Sequence, residues 1–218
     1  MALKKQNTRS ILNTVLLFAF FVSLFFNPIS VLAMDNDSSL AAFNNFSKSV
    51  QNGEADVLRG VYVPEVLALP VVQQPYGKAG FVSNNDGETT QFRMASQFGN
   101  IGLLAHNHLS GRSFSKLALG QEIRLVYGDG RVEYFVITEV LHFQALQPNS
   151  PYSSFRNLDR DEILSAEGMF KRVYFGDRHV TFQTCIEKDG ELSWGRLFVI
   201  AVPRSETAGS DRLQQFSQ

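Results

Sequence analysis

Val180-Thr181-Phe182-Gln183-Thr184-Cys185, followed after a loop by Arg196-Leu197-Phe198-Val199-Ile200-Ala201-Val202, decides how this sequence is read. The first stretch alternates as a strand does. A period of two puts Thr181, Gln183 and Cys185 on one face and Val180, Phe182 and Thr184 on the other. The second stretch is apolar after its opening arginine. Asp189-Gly190 in the intervening loop is turn chemistry, so the two strands are expected to form a hairpin that brings Arg196 close to Cys185.

Upstream, the same strand texture recurs. Val57-Leu58 and Val61-Tyr62-Val63 precede Pro64, and Val66-Leu67-Ala68-Leu69 leads into Pro70-Val71-Val72. Prolines place such runs at strand ends or edges. Asn84-Asn85-Asp86-Gly87 is a turn. Residues 100–105 form a compact apolar run suited to a buried strand, which runs into His106-Asn107-His108. The spacing of Phe114, Leu117 and Gly120 predicts a short helical turn ending at glycine. Residues 123–127 and 132–141 read as strands about the Gly128-Asp129-Gly130 turn. A loop is expected over 144–160 and a helix over 161–169, with Asp161 and Glu162 in its first turn, where the helix dipole favours acids. Many short strands with few helices predict an all-β barrel or sandwich.

Composition bounds the function classes. The 218 residues carry 20 Lys+Arg against 21 Asp+Glu, a formal net charge of −1, which gives no global pull toward nucleic acid. At 44% hydrophobic the chain is too apolar for disorder. The single Cys rules out an internal disulfide framework and a Cys-rich zinc site, and four His leave a metal site little to draw on. Lys4, Lys5 and Arg9 precede an apolar run over 15–26, then Asn27-Pro28 and a small-residue pattern at Val31-Leu32-Ala33. That is the layout of a secretory signal peptide over 1–33, or of an anchor if it is not cleaved. Either form sends the domain outside the membrane. A polar linker or short amphipathic helix is expected over 34–56, the folded domain over 57–203, and a polar tail over 204–218.

The lone Cys185 of an exported chain is buried, pairs with another chain, or reacts. It ends its strand among polar neighbours. His106 ends an apolar strand in the same manner, where an imidazole could exchange protons with a thiol or a leaving amine. His108 is the rival, two residues on. His142 and His179 carry no supporting pattern. A guanidinium at Arg196 would favour a thiolate over a thiol and could stabilise an oxyanion. A Cys nucleophile, a His proton carrier and an Arg partner together point to acyl transfer through a thioester.

On these residues the sequence resembles the sortases, the cysteine transpeptidases of bacterial surfaces. Thr181-Phe182-Gln183-Thr184-Cys185 is similar to the family's TLxTC motif, with Phe182 in place of Leu. The strand opening at Arg196 resembles the one that begins with the essential Arg. Residues 100–106 resemble the strand that delivers the catalytic His, with Ala105 where the family commonly has Gly. Phe114, Leu117, Gly120, Ile123 and Tyr134 fall where the family has its F..L...G..I block and following strand pair, and Val63-Pro64 resembles its early strand. The likeness covers 57–202. It implies a closed eight-stranded β-barrel with short helices behind an N-terminal signal segment. It also implies that His106 rather than His108 is the proton carrier, Cys185 the nucleophile and Arg196 the oxyanion partner, with Thr184 lining the substrate site.

The implied activity is cleavage of a sorting motif, LPxTG-like, in exported proteins and transfer of the acyl group to an amine. The acceptor would come from a cell-wall precursor or another protein. No metal, organic cofactor or nucleic acid is called for, and an uncleaved leader would tether the enzyme to the outer face of the membrane. A sortase-fold hydrolase and an inactive peptide-binding barrel are the alternatives.

Overall fold

The computed structural model describes residues 29–204. The basic start and apolar run of the expected leader, and the tail beyond Arg204, lie outside them. Among the described residues no helix is long and apolar enough to cross a membrane. The chain divides between Ala42 and Phe43 into two compact units, and the barrel belongs to the second.

Helix α1 (Ile29–Val50) occupies most of the stretch read as a polar linker or short helix. Within the second unit its last turns bring Phe43, Phe46 and Val50 onto Tyr62 and Val126. The ring centroids of Phe43 and Phe46 lie 5.2 and 5.8 Å from that of Tyr62. Gly60 permits this approach, since a Cβ there would meet Val50 Cγ2 at 2.9 Å and the Phe46 ring at 3.0 Å.

The strands are β1 (Leu58–Val63), β2 (Leu67–Gln73), β3 (Thr89–Phe92), β4 (Ile101–Leu104), β5 (Glu122–Tyr127) and β6 (Val132–Ala145). They continue with β7 (Phe155–Asn157), β8 (Ile163–Leu164), β9 (Val180–Lys188) and β10 (Glu191–Pro203). Neighbours run in the order β10-β9-β4-β3-β2-β1-β5-β6, and β10 also pairs with β6. That last pairing closes eight strands into a barrel, as expected from the resemblance, and β7 and β8 extend the sheet beyond it. All pairs are antiparallel except β2–β3 and β4–β9. Leu103, Ile123, Leu125, Phe182 and Val199, at 0–1% exposure with Phe114 and Phe135, fill the interior.

Several elements depart from the expected bounds. The turn read around Phe114 is a 3₁₀ helix at Ser110–Lys116. Strand β6 runs on to Ala145, because Leu141 and Phe143 pair with Phe198 and Arg196 of β10. The expected loop therefore starts later and contains β7. The helix expected over 161–169 is displaced to α3 (Ala166–Tyr174). Its N-cap is Ser165, whose side chain accepts from Gly168 N. Asp161 and Glu162 lead instead into β8, and Asn157 Nδ2 donates to Glu162. Strand β3 and the single turn α2 (Arg93–Ser96) had no forerunner in the sequence reading.

Candidate functional site

Alternation decides which way each strand's side chains face. On β9, Val180 and Phe182 belong to the interior core, so Thr181, Gln183 and Cys185 face outward. On β10, Leu197, Val199 and Ala201 face inward, while Phe198 and Ile200 join an outer cluster with Phe143, Met169, Val173 and Tyr174. Arg196 shares the outer face. The Asp189-Gly190 turn, both residues at positive φ, joins β9 to β10. Its register sets Arg196 opposite Cys185, and Phe143 of β6 opposite Arg196 on the far side. Opposed residues of antiparallel strands have Cα atoms about 5 Å apart. Both Cys185 and Arg196 are partly exposed.

His106 reaches the same row from β4. The parallel register sets Gly102, Leu103 and Leu104 beside Thr181, Phe182 and Gln183. Beyond Leu104 the pairing runs on to Ala105, which lies beside Thr184, and His106 follows at the same end of β9 as Cys185. Two bonds hold that extension: Ala105 N donates to Gln183 O at 3.3 Å, and Thr184 Oγ1 donates to Ala105 O at 2.8 Å. Thr184, expected to line the substrate site, is buried and faces inward, with its hydroxyl fixing the backbone in front of His106. The His106 carbonyl accepts from Leu109 N and Gly111 N, each at 3.0 Å. Gly111 has to be glycine here: a Cβ would lie 2.3 Å from Thr184 Oγ1 and 2.6 Å from His106 O.

Burial holds the His106 imidazole below the ordinary histidine range. The charge of His108 adds to that effect, and a hydrogen bond with the Val82 backbone works against it. The two rings stack with centroids 5.4 Å apart. His108 is exposed. His142 lies 3.7 Å from Asp159, and His179 is buried with Nδ1 and Nε2 against the carbonyls of Asp177 and Val173. Neither joins the row.

Strand β10 is irregular just before Arg196. Between the pairs Glu191↔Lys188 and Gly195↔Ile186, three residues of β10 face one of β9. Arg196 folds back onto this bulge, with Nη1 donating to Ser193 O at 3.0 Å and Gly195 O at 2.8 Å. Among the described residues its Nε and Nη2 find no protein acceptor. The guanidinium carbon stands 6.0 Å from the centre of the Phe155 ring. Asn107, which the sequence reading passed over, donates from Nδ2 to Leu192 O in the bulge at 3.0 Å.

Cys185, Arg196 and the His106 turn therefore come to one end of strands β9, β10 and β4. A cleft of about 310 Å³ beside the His106 turn is lined by Leu67, Leu69, Asp86, Ser110 and Arg112, and Cys185 is not in its wall. Among the described residues no group of three or more His, Cys, Asp or Glu could hold a metal ion.

No family model matches the chain, and no curated protein matches it. Solved structures do. Sortase A of Listeria monocytogenes is 15% identical over 68% of this chain and 88% of its own, with a TM-score of 0.44. A Clostridium perfringens sortase C with the C-terminal cell wall sorting motif is 13% identical over 88% and 99%, with a TM-score of 0.44. Sortase C-1 of Actinomyces oris is 10% identical over 74% and 80%, with a TM-score of 0.46. All three are sortases.

Proposed function

We propose that this protein is an extracytoplasmic cysteine transpeptidase of the sortase type, with Cys185 as nucleophile, His106 as proton carrier and Arg196 as oxyanion partner. The observation that carries the reading is the row itself. The only thiol of the chain lies opposite Arg196 in the β9–β10 register, and the strand that pairs with β9 on its other side ends two residues before His106. The motif resemblance over 57–202 supports the same assignment.

In the proposed reaction the Cys185 thiol passes its proton to His106, and the sulfur attacks a backbone carbonyl of a sorting motif. A C–S bond forms and the carbonyl oxygen becomes an oxyanion, toward which Arg196 Nε and Nη2 point their protons. The C–N bond then breaks as His106 protonates the departing amine, leaving a thioester on Cys185. An incoming amine attacks the thioester and His106 takes its proton. An amide forms and the sulfur leaves. The substrates are exported proteins bearing an LPxTG-like motif. The acceptor is an amine of a cell-wall precursor or another protein.

Intact-mass spectrometry of the protein mixed with LPxTG-like peptides tests the reading, with Cys185→Ala as control. The expected result is an acyl adduct on Cys185 that disappears, with a joined product, when a primary amine is added. Cleavage that an amine does not accelerate would make the enzyme a hydrolase. Peptide binding that survives alkylation of Cys185, with neither adduct nor cleavage from the unmodified protein, would leave a binding barrel.

A further inference from the structure

The His106 turn and the Arg196 bulge come from segments far apart in sequence, and one side chain ties them. Asn107 directly follows the proposed proton carrier. Its Oδ1 accepts from His108 N at 3.1 Å, which sets the turn, and its Nδ2 donates to Leu192 O at 3.0 Å across 85 residues. The next carbonyl in the bulge, Ser193 O, is the one that holds Arg196 Nη1. Leu192 and Ser193 lie in the stretch where β10 carries two residues more than its partner, so no ladder register fixes them. The amide of Asn107 thus anchors a bulge that in turn orients the guanidinium.

We propose that Asn107 is a positioning residue, a clasp that holds the Leu192–Ser193 bulge and through it the Arg196 guanidinium in line with Cys185 and His106. The inference rests on the cysteine acyl-transfer reading of the row. Asn107 need not touch a substrate. It keeps Arg196 Nη1 bonded to the bulge, while Nε and Nη2 take no part in those bonds. A misplacement of about 1 Å in such a group costs as much as a hundredfold in rate.

The test uses the full chain and iodoacetamide as the probe, because alkylation of the single thiol needs no known substrate. Asn107→Ser keeps a short acceptor for His108 N but cannot span to Leu192 O. Asn107→Ser should slow alkylation of Cys185 at neutral pH by about threefold to tenfold, the scale of a coupled pair. In an Arg196→Ala background the same change should have no further effect, since the clasp acts through the guanidinium. Equal slowing in both backgrounds, or no slowing while Arg196→Ala slows strongly, overturns the clasp. If neither Arg196→Ala nor His106→Ala alters alkylation, the reading of the row fails and the clasp falls with it. Hydrogen exchange on Asn107→Ser gives a second readout. Protection should drop at 191–196 as well as at 106–109, and a drop confined to 106–109 overturns the clasp.

Discussion

The outer face of strands β9, β10 and β6 has two ends, and they are treated differently. At one end Thr181, Ile200 and Gln183 lie under α3. Thr181 Oγ1 donates to Val173 O at 2.6 Å, the Tyr174 hydroxyl donates to Gln183 Oε1 at 2.6 Å, and Met169, Val173 and Tyr174 seal the cover. Tyr174 is so buried that its phenol is pushed well above the ordinary range. Two residues further along the same strands α3 is gone, and Cys185 and Arg196 stand partly exposed. Both ends obey the same alternation. What separates them is the roof, so partial exposure needs only the next outward position beyond a helix's reach.

That contrast can be broken at either end. The largest effect is expected at the open end. Cys185→Ala should abolish acyl transfer, and Arg196→Ala should slow acylation by two to three decades, about 3–4 kcal/mol, with the melting temperature unchanged. An Arg196→Ala rate near wild type would remove the guanidinium from the mechanism. At the covered end, Met169→Ala should cost about 2–5 kcal/mol of stability by leaving a cavity. Iodoacetamide should still alkylate Cys185 at the wild-type rate in that variant, and a slowed rate would show that the two ends are not independent. Gly111→Ala tests the packing behind the open end. Overpacking against Thr184 Oγ1 and two carbonyls should cost about 1–3 kcal/mol and shift the His106 resonances, as read by denaturant melts and NMR.

The smallest effect concerns protons. Burial and the His108 charge both disfavour the imidazolium of His106, so its NMR titration should fall below the usual value of about 6.5. His108→Gln should move that midpoint upward, because it removes a like charge and leaves the burial. The sign for stability follows. A depressed folded value means that the neutral form is preferred in the fold, so the His106 contribution is present above about pH 6.5 and fades as the pH falls through the folded value.

How legible these ends were differs too. The alternation of 180–185 put Cys185 on one face with Thr181 and Gln183, and the Asp189-Gly190 turn suggested the hairpin that pairs it with Arg196. The barrel class was also legible, because most strands carry an apolar pattern. Strand β3 was not. Its buried residues are Thr89 and Thr90, adjacent polar groups on opposite faces of the strand that hide the period. They are tolerated because Thr89 Oγ1 donates to Leu104 O and Thr90 Oγ1 accepts from Ser83 N. Helix α3 was misplaced because Asp161 and Glu162 mimic a first turn, while the cap is the less conspicuous Ser165. The inward turn of Thr184 follows from the period of two, but its bond to Ala105 depends on a parallel pairing that local sequence cannot announce. Asn107 was missed for the same reason, since its partner lies 85 residues away.

The parallel pairing of β4 with β9 also sets an order of assembly. The thiol and guanidinium sit on one hairpin joined by a two-residue turn, whose closure is entropically cheap and fast. The imidazole comes from a strand that meets β9 only across a span of 79 residues. Contacts of that range form late, when the chain closes on itself. A folding chain would therefore carry its sulfur and its cation as neighbours on the hairpin before β4 docks beside them, and the arrival of the imidazole would coincide with barrel closure.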